Sequence, residues 1–252
     1  MKKIIILCFA LFATAAIAHT IDWYVDGQIY QTTSCESGDS ITPPTPPAKY
    51  GYTFREWQSF SWIEYIESTG TQWIDTGFIA NGGMILDAKA MPVDGEMYIG
   101  SVDDSGIATL AAYSRNLISY TGGRYYPQKM DNYEVSYTNA GTTPAVIHID
   151  TTRTKFYCTI DGNLVVDTTT GVLQNQTTTV KLSFSDYSQS VKKGRYYYVQ
   201  IKDSTGTLVR DFVPAKRNSD NVVGMYDTVS RTFFTNQGTG DFVAGPTLEG
   251  GE

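Results

Sequence analysis

Apolar and polar residues alternate along most of this chain, in short runs separated by Gly, Asn, Asp and Pro. No window of a dozen residues keeps a helical period, so the pattern predicts strands and turns. "MILDAKAMP" sets Met84, Leu86 and Ala88 opposite Ile85, Asp87 and Lys89. "AVIHID" puts Ile147 and Ile149 on one face, with Val146, His148 and Asp150 on the other. "KFYCTIDGNLVVD" reads as a hairpin turning at Asp161-Gly162-Asn163. "VKLSFSD" offers Val180, Leu182 and Phe184 to a core. "RYYYVQIKD" is expected to direct Tyr197, Val199 and Ile201 to one face and Tyr196, Tyr198 and Gln200 to the other. "LVRDFVPAKR", "NVVGMYD" and "TFFTN" complete the run. So many short strands imply an all-β fold of two packed antiparallel sheets.

The stretch "YIESTGTQWIDTGF", Tyr65 to Phe78, has two readings. Glu67 and Asp75 resemble an acid pair beside an aromatic platform, Trp73. The strand pattern instead makes Ser68-Thr69-Gly70-Thr71 a turn between the arms "WIEYIE" and "QWIDTG". Ile66 and Ile74 then pack inward, and Trp73 either covers the sheet or stacks on a sugar.

The N-terminus breaks the alternation. "MKKIIILCFALFATAAIAHT" has two lysines, an apolar run and small residues at Ala16-Ile17-Ala18. That is the form of a secretory signal peptide, residues 1–18, cleaved after Ala18. The expected location is therefore secreted or at the cell surface, without membrane insertion after cleavage. Cys8 lacks the preceding small residues of a lipoprotein cysteine. Losing residues 1–18 removes Lys2 and Lys3 and no acid, which moves the formal charge from −7 to −9. An acidic chain repels phosphate backbones, so nucleic acid is not an expected partner. Cys35 and Cys158 remain. Export permits a disulfide, but the two fall in different modules, and Cys158 reads as a buried thiol. No Cys-x-x-Cys pair suggests structural zinc.

Residues 19–60 form a first module. "IDWYVDGQIYQTT" predicts a hairpin with Asp26-Gly27 at its turn, "SITPPTPPAKY" an extended proline-rich segment, and "YGYTFREWQ" a closing strand. Gly38, Ile41, Pro44, Pro47, Gly51, Tyr52, Thr53, Phe54 and Trp57 give this module a resemblance to the internalin-type B repeat of bacterial surface proteins. The resemblance implies a small β-grasp-like spacer or interaction module, present once. Arg55-Glu56 departs from the small residues usual before that tryptophan.

Residues 61–246 form the second module, followed by a tail, 247–252, expected to be flexible. "YIESTGTQWIDTGF", "HIDTTRTKFYCTIDGNLV" and the run from "YYYVQIKD" to "RTFFTN" are similar to strands of concanavalin A-like, laminin G-like domains. The resemblance implies a jelly-roll sandwich that binds ligands on its concave sheet and adjacent loops.

That superfamily includes β-glucanases, whose retaining members place Glu-x-Asp-x-Glu or Glu-x-Asp-x-x-Glu on one strand. No glutamate here has that spacing; Glu64 and Glu67 are three apart and face opposite sides of a strand. No Gly-x-Ser-x-Gly occurs, and His148 reads as a sheet histidine. No catalytic residue is assigned. Asp103, Asp104 and Asp186 are rim-loop acids that leave calcium open, with no cofactor required. The aromatic and planar polar groups of "AAYSRNLISYTGGRYYPQ" are the strongest ligand-binding candidates. They are Tyr113, Arg115, Asn116, Tyr120, Arg124, Tyr125 and Tyr126, with Trp73 added.

The sequence thus points to a noncatalytic recognition module for an extracellular glycan or surface protein. A structural surface or appendage component is the alternative, and a carbohydrate-active enzyme with an unfamiliar acid pair ranks below both.

Overall fold

The computed structural model describes residues 18–25, 28–36, 39–50, 59–80, 83–101, 118–121, 124–127, 137–138, 141–152, 156–168, 178–185 and 190–248. Residues 1–17 of the expected signal segment, Asp26-Gly27 and residues 51–58 of the expected closing strand of the first module lie outside them. The chain divides into two compact units, Met1–Trp57 and Gln58–Glu252. Among the described residues there is no helix, hence none long and apolar enough to cross a membrane.

In the first unit, β1 (Ala18–Val25) pairs antiparallel with β2 (Gln28–Glu36), and Val25 opposite Gln28 leaves a two-residue connection. The register slips between Trp23 and Tyr24, so Tyr30 is the extra residue of a bulge. Its hydroxyl donates to the Thr45 carbonyl at 3.0 Å and so fastens the proline-rich segment to the hairpin.

The second unit is built from β3 (Phe60–Trp62), β4 (Ile66–Ser68), β5 (Ile74–Ile79), β6 (Ile85–Met91), β7 (Met97–Gly100), β8 (Ile118–Thr121) and β9 (Arg124–Pro127). There follow β10 (Tyr137–Thr138), β11 (Ala145–Asp150), β12 (Phe156–Ile160), β13 (Asn163–Thr168), β14 (Thr179–Leu182), β15 (Phe184–Ser185) and β16 (Ser190–Val191). The chain closes with β17 (Gly194–Lys202), β18 (Leu208–Arg217), β19 (Val223–Asp227), β20 (Thr232–Thr235) and β21 (Val243–Ala244). A large sheet runs β13-β12-β11-β6-β17-β18-β19-β20, with β3, β4 and β21 joined to it. A smaller one runs β10-β9-β8-β7-β14-β5. Every pairing between described strands is antiparallel, and the two sheets enclose one apolar core.

Alternation sets the inner faces. Leu86, Ala88 and Ala90 of β6, Ile147 and Ile149 of β11, and Phe156, Cys158 and Ile160 of β12 are buried from the large sheet. Ile74 of β5, Met97 and Ile99 of β7, and Val180 and Leu182 of β14 join the same core from the smaller sheet. Asp161 and Gly162, both at positive φ (52° and 76°), form the two-residue turn between β12 and β13. Positive φ at both positions matches the right-handed twist of the strands, which is why Asp-Gly occurs there. Asn163 already belongs to β13.

Three readings change. First, Tyr196 pairs with Ala90 and Tyr198 with Lys89, so Tyr197 is a bulged extra residue in β17. The bulge reverses the expected faces: Tyr196 is wholly buried with Val199 and Ile201, while Tyr197 and Tyr198 both look outward, half-buried. Second, Ser183 turns the chain at φ 66° after β14, which takes Phe184 out of the core and onto Trp73. Third, Ile66 and Ile74 are fully buried as expected, but their strands do not form a hairpin. β4 pairs with β17 and β21 in the large sheet, and β5 pairs with β14 in the smaller one. Ser68–Thr71 is therefore a corner between sheets. Buried Gln72 fixes it by accepting from the Thr69 amide at 2.9 Å and donating to the Thr239 carbonyl at 3.2 Å.

β17 and β18 pair only from Val199–Lys202 to Phe212–Leu208 and then diverge. The fork is filled by β4 beside β17 and β3 beside β18. The chain end lies along the same segment. The Gly245 amide donates to Tyr65, Thr247 bridges to Ile63, and the Leu248 amide donates to Trp62. Residues 247 and 248 of the expected tail thus belong to the ladder.

Candidate functional site

The fork and the bulge together bring acidic, basic and aromatic side chains into contact on the large sheet. β4 brings Glu67 beside Arg195 of β17, to which it is hydrogen-bonded. The guanidinium lies over the Tyr65 ring, 4.7 Å from its centroid. Tyr65 packs against Tyr197 at 5.3 Å, and the Lys89 ammonium stands 4.9 Å from the Tyr197 centroid. Acid, cation, ring, ring and cation thus interlock across β4, β17 and β6 on the outer face of the large sheet. Tyr198 lies directly opposite Lys89. A regular strand would direct only one of two consecutive tyrosines outward; the bulge directs both.

The electrostatics of this strip follow from its contacts. The hydrogen bond to Glu67 raises the Arg195 pKa further. Partial burial raises the Tyr197 and Tyr198 phenols above their ordinary value, and nearby Asp87 adds to the effect on Tyr198. Both therefore stay neutral hydrogen-bonding groups at physiological pH. Lys89 has no carboxylate partner among the described residues, whereas Arg195 and Lys202 are paired with Glu67 and Asp87.

Further along the same face, Asp87 joins His148 and Lys202. His148 Nδ1 lies 2.6 Å from Oδ1, and Lys202 donates to Oδ2 at 3.1 Å. The His148 ring meets Tyr157 edge-on at 5.9 Å. At the other end of the sheet, Phe60, Trp62, Tyr226 and Phe233 form an aromatic cluster with centroid separations of 4.9–5.5 Å.

The sequence candidates distribute differently. Tyr120 of β8 lies opposite Tyr125 of β9, which in turn faces Tyr137 of β10, so these three occupy one cross-strand row with Met97 of β7. Arg124 pairs with Thr121, and Tyr126 with Ser119. Tyr120 and Tyr125 thus share one row of the hairpin, with Arg124 and Tyr126 in the rows on either side. Tyr113, Arg115 and Asn116 lie outside the described residues. Trp73 is not part of that group: it precedes β5, which β14 and β7 separate from β8, a distance of about 14 Å at the usual strand spacing. Its ring packs on Phe184 at 4.7 Å, its amide donates to Asn236 Oδ1, and its carbonyl accepts from Gln237. Trp73 therefore covers the sheet corner.

Glu67 and Asp75, the acid pair of the first reading, sit in different sheets. Glu67 is bound to Arg195, and Asp75 accepts the Gly77 amide at 2.9 Å. Asp103, Asp104 and Asp186 lie outside the described residues. Among the described residues, no three His, Cys, Asp or Glu side chains are grouped to hold a metal ion. Both Cys35 and Cys158 are free thiols.

Sequence reasoning missed Tyr65, Lys89, Arg195, Tyr197 and Tyr198 as a unit. The available signal was "RYYY": three consecutive tyrosines cannot all be inward in a strand, so some must serve the outer face. No protein-family model matches this chain, and no curated protein does.

Proposed function

We propose that this chain is a noncatalytic extracellular recognition module that holds its ligand, a glycan or surface protein, on the outer face of its large sheet. The observation that carries this reading is the interlocked strip Glu67–Arg195–Tyr65–Tyr197–Lys89. Tyrosine combines a flat apolar body with a polar tip, which suits both sugar rings and protein surfaces. Mutual packing on rigid strands reduces the ordering cost of binding. Two acids of this face are engaged in ion pairs, Glu67 with Arg195 and Asp87 with His148 and Lys202. The partners of Asp87 hold its carboxyl below the ordinary value, which opposes the protonated form that a general acid needs. The signal-like N-terminus and the resemblances to laminin G-like jelly rolls and internalin-type repeats support an exported protein.

Glycan arrays and surface-protein pull-downs, with and without calcium, test the reading. Binding by the wild type that is lost in Y65A and Y197A, but kept in Y120A and Y125A, supports the outer face as the site. The opposite pattern moves the site to the β8–β9 hairpin, and silence in every format defeats the reading.

The aromatic cluster Phe60–Trp62–Tyr226–Phe233 favours a second reading, a structural surface component that buries this patch against a neighbouring protein. Native mass spectrometry tests it. Stable oligomers that dissociate in W62A support assembly, and a monomer at all concentrations rejects self-assembly.

A further inference from the structure

We infer that the bulge in β17 builds a subsite for an acidic sugar residue, whose carboxylate pairs with Lys89 while its ring lies along Tyr197 and Tyr198. The inference rests on the recognition reading above and names the ligand class. Four observations carry it. The bulge places Tyr197 and Tyr198 consecutively on the outer face, an arrangement that regular alternation cannot produce. Lys89 sits directly opposite Tyr198 and over the Tyr197 ring, so its ammonium is held in place by aromatic contact and not by an acid. Two neighbouring cations of this face have partners: Arg195 is bound to Glu67, and Lys202 to Asp87. Lastly, the Tyr65 and Tyr198 hydroxyls make no hydrogen bond among the described residues, and both side chains are only half-buried.

The strip therefore offers an ammonium with no ion-pair partner among the described residues, beside two phenols that make no hydrogen bond there, while Glu64 and Asp87 act on Tyr197 and Tyr198 from the flanks, on a chain whose formal charge is −7. That combination complements a ligand with one negative charge set among many hydroxyls. A uronate or sialate fits because its carboxylate is attached at the sugar ring. A ring laid on Tyr198 sets that group against a lysine one strand away, within the ~5 Å spacing of directly opposed side chains. A neutral sugar would leave the ammonium unused.

The test uses the full second-unit face in the intact chain. Oligogalacturonide, hyaluronan and alginate oligosaccharides and sialyllactose are titrated calorimetrically, each beside its carboxyl methyl ester. The expected result is binding of at least one acid form, with its ester about tenfold weaker, as the loss of one charge-assisted contact implies. K89Q should show the same loss for the acid and little further change for the ester. K89R should stay within about threefold of wild type. Y198F should weaken both forms less than Y198A, while K216Q, the charge control on β18, should change neither. Lys89 has no ion pair to lose, so K89Q is expected to fold, and circular dichroism verifies this. Equal affinity for acid and ester, or full affinity in K89Q, overturns the inference. Binding confined to neutral glycans or to a surface protein overturns it too while leaving the recognition reading intact. Silence toward all glycans and surface proteins overturns both.

Discussion

The wholly buried hydroxyl of Tyr196 donates to the Tyr98 carbonyl at 2.8 Å and so joins β17 of the large sheet to β7 of the smaller one. The same oxygen accepts from the Ser183 hydroxyl at 2.9 Å. The positive φ of Ser183 directs its side chain inward at the end of β14. This polar link inside an apolar core is possible only because the bulge turns Tyr196 inward.

Y196F removes this link and is expected to cost about 1–2 kcal/mol, the range for a buried hydroxyl whose partners lose a hydrogen bond. The Tyr98 carbonyl keeps its bond from the Ser183 amide, which limits the loss. Burial pushes the Tyr196 phenol up to about 12, although its hydrogen bonds work in the opposite direction. Its neutral form therefore favours the fold below the ordinary phenol pKa near 10, and that contribution is lost as the pH rises toward 12. Urea unfolding from pH 8 to 12 should show a steeper alkaline decline in wild type than in Y196F. Parallel curves would contradict the assignment.

Cys158 is fully buried in the core, opposite Ile149 of β11 and Val166 of β13, and burial pushes its thiol up to about 12. Thiolate is the reactive form, so Cys158 should resist iodoacetamide at pH 8 in the native protein. Cys35, half-buried on β2, should be labelled first in a chain lacking residues 1–18. Mass spectrometry with and without urea checks this, with Cys158 modified only after unfolding. Native labelling of Cys158 at the Cys35 rate would be inconsistent with its placement.

The hydrophobic pattern reveals what each strand does locally and little of what it pairs with. Ile66 and Ile74 could be assigned to the core because alternation fixes a face. Whether their strands pair with each other depends on a corner held by Gln72 and the distant Thr239, which no local pattern encodes. The bulge at Tyr197 is illegible for a different reason. Three identical tyrosines give either phase of alternation the same apparent quality, and only the register against Ala90 and Lys89 decides between them. That single slip also hides the placing of Tyr197 beside Lys89 from the sequence.

Gly224 lies opposite Ala215 in the middle of β19, beneath the aromatic cluster. A Cβ there would come within 2.3 Å of the Phe234 carbonyl oxygen and 3.0 Å of Phe233 Cζ. The carbonyl belongs to the paired strand β20 and cannot withdraw without opening the ladder. G224A should therefore destabilise by about 1–3 kcal/mol, as overpacking does, in spite of alanine's better backbone entropy. Thermal melts measure it, accompanied by altered near-ultraviolet dichroism from Phe233 and Tyr226. A neutral or stabilising G224A would contradict this packing.

Asp87 gives the outer face an acid-sensitive feature. Burial alone would raise its carboxyl, but hydrogen bonds from His148 and Lys202, with their charges, outweigh it and hold the group below its ordinary value of 3.8. A carboxylate depressed in the folded state contributes stability above its unfolded pKa. That contribution is lost as the pH falls through the folded value, so the window opens near pH 4 and extends downward. The pair is partly exposed, with side-chain exposures of 36% for His148 and 27% for Asp87, so screening keeps the effect small. D87N is expected to lose ~0.2–1 kcal/mol at pH 7. It should then converge with wild type between pH 4 and 2, because the asparagine has no charge to lose. Chemical denaturation at fixed ionic strength across that range measures the difference. A constant offset between the two proteins down to pH 2 would mean that Asp87 does not carry this acid sensitivity.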